Sequence, residues 1–238
     1  MKRKIVRAIG ASVFVLGMLL GAARLGQAQD AKAAYPNMAP VEQYMMADRN
    51  AEIALARSAA PESISRDAEV MVLGAHGYEM AVKGKNGFVC VVQRSWTAGI
   101  NDPVFWNPKL RAPICFNPPA ARSYLPLVIK KTELILAGES KTQMFASIKA
   151  GLDKKELPLQ EPGAMCYMMS KEGYLNDQAG HWHPHLMFFV PQNEAQTWGE
   201  NLPGSPILTE QDPEDRLTIF MIVVAKWSDG TADAMEKH

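Results

Sequence analysis

EVMVLGAHGYEMAVKGKNGFVCVVQ, residues 69–93, is the stretch on which the fold class turns. Glu69–Leu73, Tyr78–Lys83 and Phe88–Gln93 are rich in β-formers, and Gly84-Lys85-Asn86-Gly87 separates the last two. The pattern predicts a three-stranded meander that ends in a hairpin.

Moving outward, Ala164–Met169 and His185–Val190 are short apolar runs expected to pair as strands around the Lys171–Gly180 connection. Leu217–Ala225, LTIFMIVVA, is apolar on both faces and suits a central strand. Helices are expected in four places. Val41–Ala59 carries Val41, Tyr44, Met45, Ala51 and Leu55 between Pro40 and Pro61. Ala120–Ala137 reads as a helix holding or starting at Pro126. Ser140–Gln143 is a capping box followed by Met144, Ile148 and Leu152 and stopped by Pro158, and Asn193–Gln196 could cap a short fourth helix. Thr97–Pro119 shows neither period, and a loop of that length in a compact domain is usually functional or clamped. These elements predict an α+β fold: a single domain with a largely antiparallel sheet of five or six strands and a few packed helices.

The N-terminus predicts export. Lys2, Arg3, Lys4 and Arg7 precede an uncharged apolar run, Ala8–Leu20, too short to span a membrane stably. Gly26-Gln27-Ala28 is a cleavage site, Gly21-Ala22-Ala23 a second one, and no lipid-attachment cysteine stands at either. The expected organisation is a cleaved leader over 1–28, a flexible stretch over 29–40 and a globular domain over 41–238. The protein is expected in a periplasm or outside the cell, without stable membrane anchoring.

Cleavage would remove five of 25 basic residues and none of 25 acids, leaving 20 against 25. A mildly acidic chain disfavours nucleic acid as a partner. An oxidising compartment allows one disulfide among three cysteines, and Cys90 with Cys115 is expected because that bridge would clamp the long loop to a strand.

Function is less legible. GHWHPHLMFF, residues 180–189, puts His181, His183 and His185 on alternating positions, which in an extended chain share a face. Same-face neighbours lie about 6.5 Å apart, whereas a zinc–imidazole bond is about 2.0 Å, so two of them could converge on one ion but three could not easily do so. A metal site would then need a further ligand, with His76 in the turn GAHGYE as the third histidine and Glu79 or Asp177 as the carboxylate. Zinc is the expected divalent metal and copper the lesser one. The other readings of these histidines are a polar strand edge, or an organic-ligand pocket shared with Trp182. Met165, Cys166, Met168 and Met169 offer soft ligands that favour Cu(I), although the same residues suit a buried strand.

In the long loop Trp96, Trp106 and Arg111 could present a ligand groove, or the rings could pack over the sheet. The chain lacks H-E-x-x-H, G-x-S-x-G, a P-loop and a dinucleotide fingerprint. No catalytic residue is assigned, and no oligomeric state follows from the sequence. The expectation is an exported protein that takes a small molecule or a metal ion at its histidines. The alternatives are a metal-dependent hydrolase using the same residues and an envelope protein that binds a partner through the Trp/Pro-rich loop.

Overall fold

The computed structural model describes residues 35–177, 180–192, 197–200 and 202–233. The expected leader over 1–28 and the Asn193–Gln196 cap fall outside them. Eight strands, β1 (Glu69–Gly74), β2 (Gly77–Val82), β3 (Val89–Gln93), β4 (Ala112–Phe116), β5 (Met165–Met168), β6 (His185–Pro191), β7 (Ile207–Asp212) and β8 (Leu217–Val223), form one sheet. Its order is β2-β1-β3-β4-β5-β6-β8-β7. Among the described residues five α-helices accompany it: α1 (Arg49–Arg57), α2 (Glu62–Ser65), α3 (Pro118–Ser123), α4 (Leu125–Leu136) and α5 (Lys141–Asp153). The architecture is α+β, but the sheet is larger than the expected five or six strands.

The two additional strands are β4 and β7. Strand β4 lies inside the supposed long loop, disguised by Pro113. Arg111 and Asn117 both send their N–H groups towards the β5 side, to Tyr174 and Met165. By the two-residue alternation, the N–H missing from Pro113 belongs on that side too. There the β4–β5 ladder is confined to Cys115 and Phe116, so the proline interrupts no pairing. Strand β7, ILTEQD, is an edge strand whose polar content hid it.

The meander is also corrected. β1 and β2 form an antiparallel hairpin, whereas β3 pairs with β1 in parallel, Glu69 opposite Val89 and Val70 opposite Cys90. The Gly84–Gly87 segment is therefore a crossover at the end of β1 and not a hairpin turn. Gly84 makes this possible: a Cβ there would lie 2.3 Å from the Glu69 nitrogen. Lys85 N–H donates to Asp67 O at 2.8 Å and Glu69 N–H to Phe88 O at 2.9 Å, fixing the crossing strand to the one beneath it.

The expected helix over Val41–Ala59 is shorter, because Asp48 is extended and caps α1 through its side chain. The Ser140–Gln143 capping box is present at the start of α5. The Ala120–Ala137 expectation resolves into α3 and α4 with a break at Tyr124, and Pro126 stands in the first turn of α4.

Alternation sorts the sheet's two faces. Cys90, Val92, Cys115 and Val70 form one, covered by Leu55, Ala56 and Ala59 from α1 and its end. Cys90 and Cys115 are directly opposite on β3 and β4, with Cα atoms 4.0 Å apart, and are disulfide-bonded as expected. Val91, Ile114, Phe116, Cys166, Phe189 and Ile219 form the other face, packed by Leu125, Val128, Ile148 and Leu152 of α4 and α5. Cys166 is thus a free thiol on the far side of the sheet from the disulfide. Among the described residues no helix is long and apolar enough to cross a membrane.

Candidate functional site

The helices on the second face leave part of it open. Between β3–β8, the edge strand β7 and the 94–110 segment lies a cleft of about 340 Å³. Its floor is Met168, His185, Met187, Met221 and Ile219, residues that register and alternation bring to one face. Tyr124, at the α3–α4 break, is the helical residue that reaches it. Ser95, Thr97, Gly99 and Asp102 form the loop wall, and Glu210 and Asp212 form the β7 side.

The wall is held rigidly. Arg94, fully buried, donates from Nη2 to Glu52 Oε1 at 2.8 Å and from Nε to Tyr44 O at 2.7 Å, which ties the start of the loop to α1. Lys141 Nζ donates to Ile100 O at 2.7 Å and anchors the far part. Trp182 packs against Gly173, where a Cβ would come within 2.6 Å of the indole.

Three buried donors on residues that line this cleft lack partners. Gln93 Nε2, Ser95 Oγ and Trp182 Nε1 are buried and accept or donate no hydrogen bond, and all three residues line it. His185 supplies the complementary function. Its Nδ1 lies 2.7 Å from His183 O, and a carbonyl can only accept, so Nδ1 carries the proton and Nε2 is left as an acceptor. Burial pulls its pKa below 6.5, which keeps the ring neutral near pH 7. On the β7 side burial, then Asp212 and Asp102, push the carboxyl of Glu210 up.

The three histidines do not act as a row. β6 begins only at His185, so the alternation assumed for His181 and His183 has no strand beneath it. His181 is exposed, stacks edge-on against Trp227 and has its Nδ1 3.1 Å from Trp182 O. His183 pairs with Asp233 at 2.6 Å. His76 is exposed on the β1–β2 hairpin, with three strands between β1 and β6. Glu79 pairs with Arg49, and Asp177 takes hydrogen bonds from Tyr35, Lys109 and Tyr174. Among the described residues no three His, Cys, Asp or Glu side chains gather as a metal-ligating group.

The methionine run splits in the same way. Met165 and Tyr167 face one side of the sheet, Cys166 and Met168 the other, as their partners Phe188, Met187, Leu186 and His185 require. In the long loop the candidate ligand residues turn inward. Trp96 is fully buried with Nε1 donating to Thr132 Oγ1 at 3.0 Å, and Trp106 packs edge-on against Phe105. Arg111 is used by the carbonyls of Pro108, Leu110, Gln43 and Met45. The loop does border the cleft, but with small residues and not with its rings. Sequence reasoning missed Gln93 and Ser95 because neither stands in a motif.

A second hollow of about 380 Å³ lies between α5 and the Pro213 turn. Its two cations, Lys149 and Arg216, are both already paired with Asp153. Comparison with protein families, with characterised proteins and with solved structures returned no match.

Proposed function

We propose that this chain is an exported binding protein for a small organic molecule, held in the cleft between the sheet and the 94–110 wall. The carrying observation is the set of three buried, unpartnered donors, Gln93 Nε2, Ser95 Oγ and Trp182 Nε1, on residues that line one opening. Each such group costs about 1–3 kcal/mol until an acceptor reaches it. A ligand with carbonyl or carboxylate oxygens relieves that cost. Its apolar body would lie on Met187, Met221 and Ile219, and its own donors would meet His185 Nε2 and the carboxylates of Glu210 and Asp212. Methionine side chains suit such a floor, since they adapt to irregular ligands. The volume falls within the range of small-molecule sites.

Ser95→Ala tests this reading. Removing an orphaned hydroxyl raises the unfolding free energy of the unliganded protein by about 1 kcal/mol, while removing a ligand contact weakens binding by about tenfold. The first is read by urea unfolding. The second is read by calorimetry on whichever member of a panel of small amphiphilic carboxylates and amides raises the melting temperature. A variant that loses stability and binds unchanged would overturn the reading, as would a panel without a single binder.

A further inference from the structure

The cleft floor also brings together three thioether side chains and one imidazole. Met187 on β6 is directly opposite Met221 on β8, and Met168 on β5 is directly opposite His185 on β6. His185 and Met187 are two residues apart on one strand, so all four share a face, and all four line the opening. Directly opposed residues carry their Cβ atoms about 4.5–5.5 Å apart, and same-face neighbours along a strand lie about 6.5 Å apart. The flexible thioether arms of methionine span such gaps. The imidazole is already arranged as a ligand: Nδ1–H is fixed on a backbone carbonyl and Nε2 is free, which is how metal-binding histidines are oriented.

We infer that His185, Met187 and Met221, with Met168 beside His185 at the edge of the set, form a binding site for a soft monovalent cation, cuprous copper. Thioether sulfur and neutral imidazole favour Cu(I), whereas zinc prefers thiolate, imidazole and carboxylate. The donor set is neutral and leaves the ion's charge intact. Glu210, Asp212 and Asp102 border the same opening and balance that charge from a distance. Cys166, opposite Met187 and fully buried, does not line the opening. The site differs from both metal sets suggested by the sequence alone, since it takes one residue of the histidine row and one of the methionine run. It rests on the cleft being an open binding site, but not on the organic ligand.

The test is an anaerobic titration of the full chain with cuprous ion against a colorimetric chelator. One ion per chain is expected, with Met187→Leu and Met221→Leu each weakening it by about tenfold or more. Leucine keeps the volume, and thermal melting checks that the variants fold. X-ray absorption on the wild-type complex gives a reading independent of the variants, with sulfur and nitrogen scatterers expected together. Ser95→Ala, which removes an organic-ligand contact, should leave copper affinity unchanged, so the two readings fail separately. Absence of tight copper binding, binding untouched by both leucine variants, or an absorption spectrum without sulfur would each overturn the inference.

Discussion

Gly84 shows how one side chain selects a topology. The β2–β3 crossover presses against the backbone at Ala68 and Glu69, and the atoms a Cβ would meet are main-chain atoms that cannot rotate away. Gly84→Ala is expected to cost about 3 kcal/mol, at the upper end of overpacking changes. Gly99→Ala, with nothing within 4 Å of a new Cβ, is the control and should stay within about 0.5 kcal/mol. Equal urea midpoints for the two variants would refute the account. His185 makes a related point. The sequence presents three equivalent histidines, and one carbonyl contact and one strand boundary make a single one of them a cleft residue.

Between elements, the Cys90–Cys115 bridge ties β3 to β4 across 25 residues that include most of the cleft wall. Closing a loop of that length in the unfolded chain is worth about 3.5 kcal/mol on the chain-entropy account. Replacing both cysteines by Ala is expected to lower stability by about that much in chemical unfolding. Cys166 cannot exchange into the pair while the sheet is formed, since it points to the opposite face. A loss below about 1 kcal/mol would mean that the strand pairing alone holds the wall.

Across the folded protein, one buried pair sets a pH response. Asp215, in the β7–β8 turn, lies 2.5 Å from Lys131 of α4, and both are almost wholly inaccessible. Burial outweighs the pull of Lys131 and lifts the Asp215 carboxyl from 3.8 to about 7. Between those values the folded chain keeps a proton that the unfolded chain has released. Stability therefore falls as pH rises through that window and levels above it. His185 acts in the opposite sense: its pKa is lowered from 6.5, so stability falls as pH drops beneath that value. The contribution of Asp215 is the difference between wild type and Asp215→Asn in urea unfolding across pH 4.5 to 8. A difference that does not change with pH would show that burial does not raise this carboxyl.

The sequence by itself determined the elements that rest on local chemistry. The capping box of α5 is written in short-range spacing, because neighbours in the chain supply its decisive contacts, while the β5 and β6 runs, the apolar β8 and the disulfide partners are legible from composition and from where the cysteines stand. It misplaced what depends on distant partners. Pro113 looks like a strand breaker until the open ladder beside it is known, and β7 looks like a loop until β8 gives its polar face an edge to occupy. The parallel β1–β3 pairing depends on a backbone contact that a glycine permits but does not announce. The cleft belongs to the same class. Gln93, Ser95, Trp182 and the Met168–His185–Met187–Met221 patch lie on separate segments; sheet register brings Gln93 and the patch to one face, and the connections around the sheet bring Ser95 and Trp182 to the same opening. A single sequence encodes which residues are able to pair, and only the assembled sheet decides which side chains then share a surface.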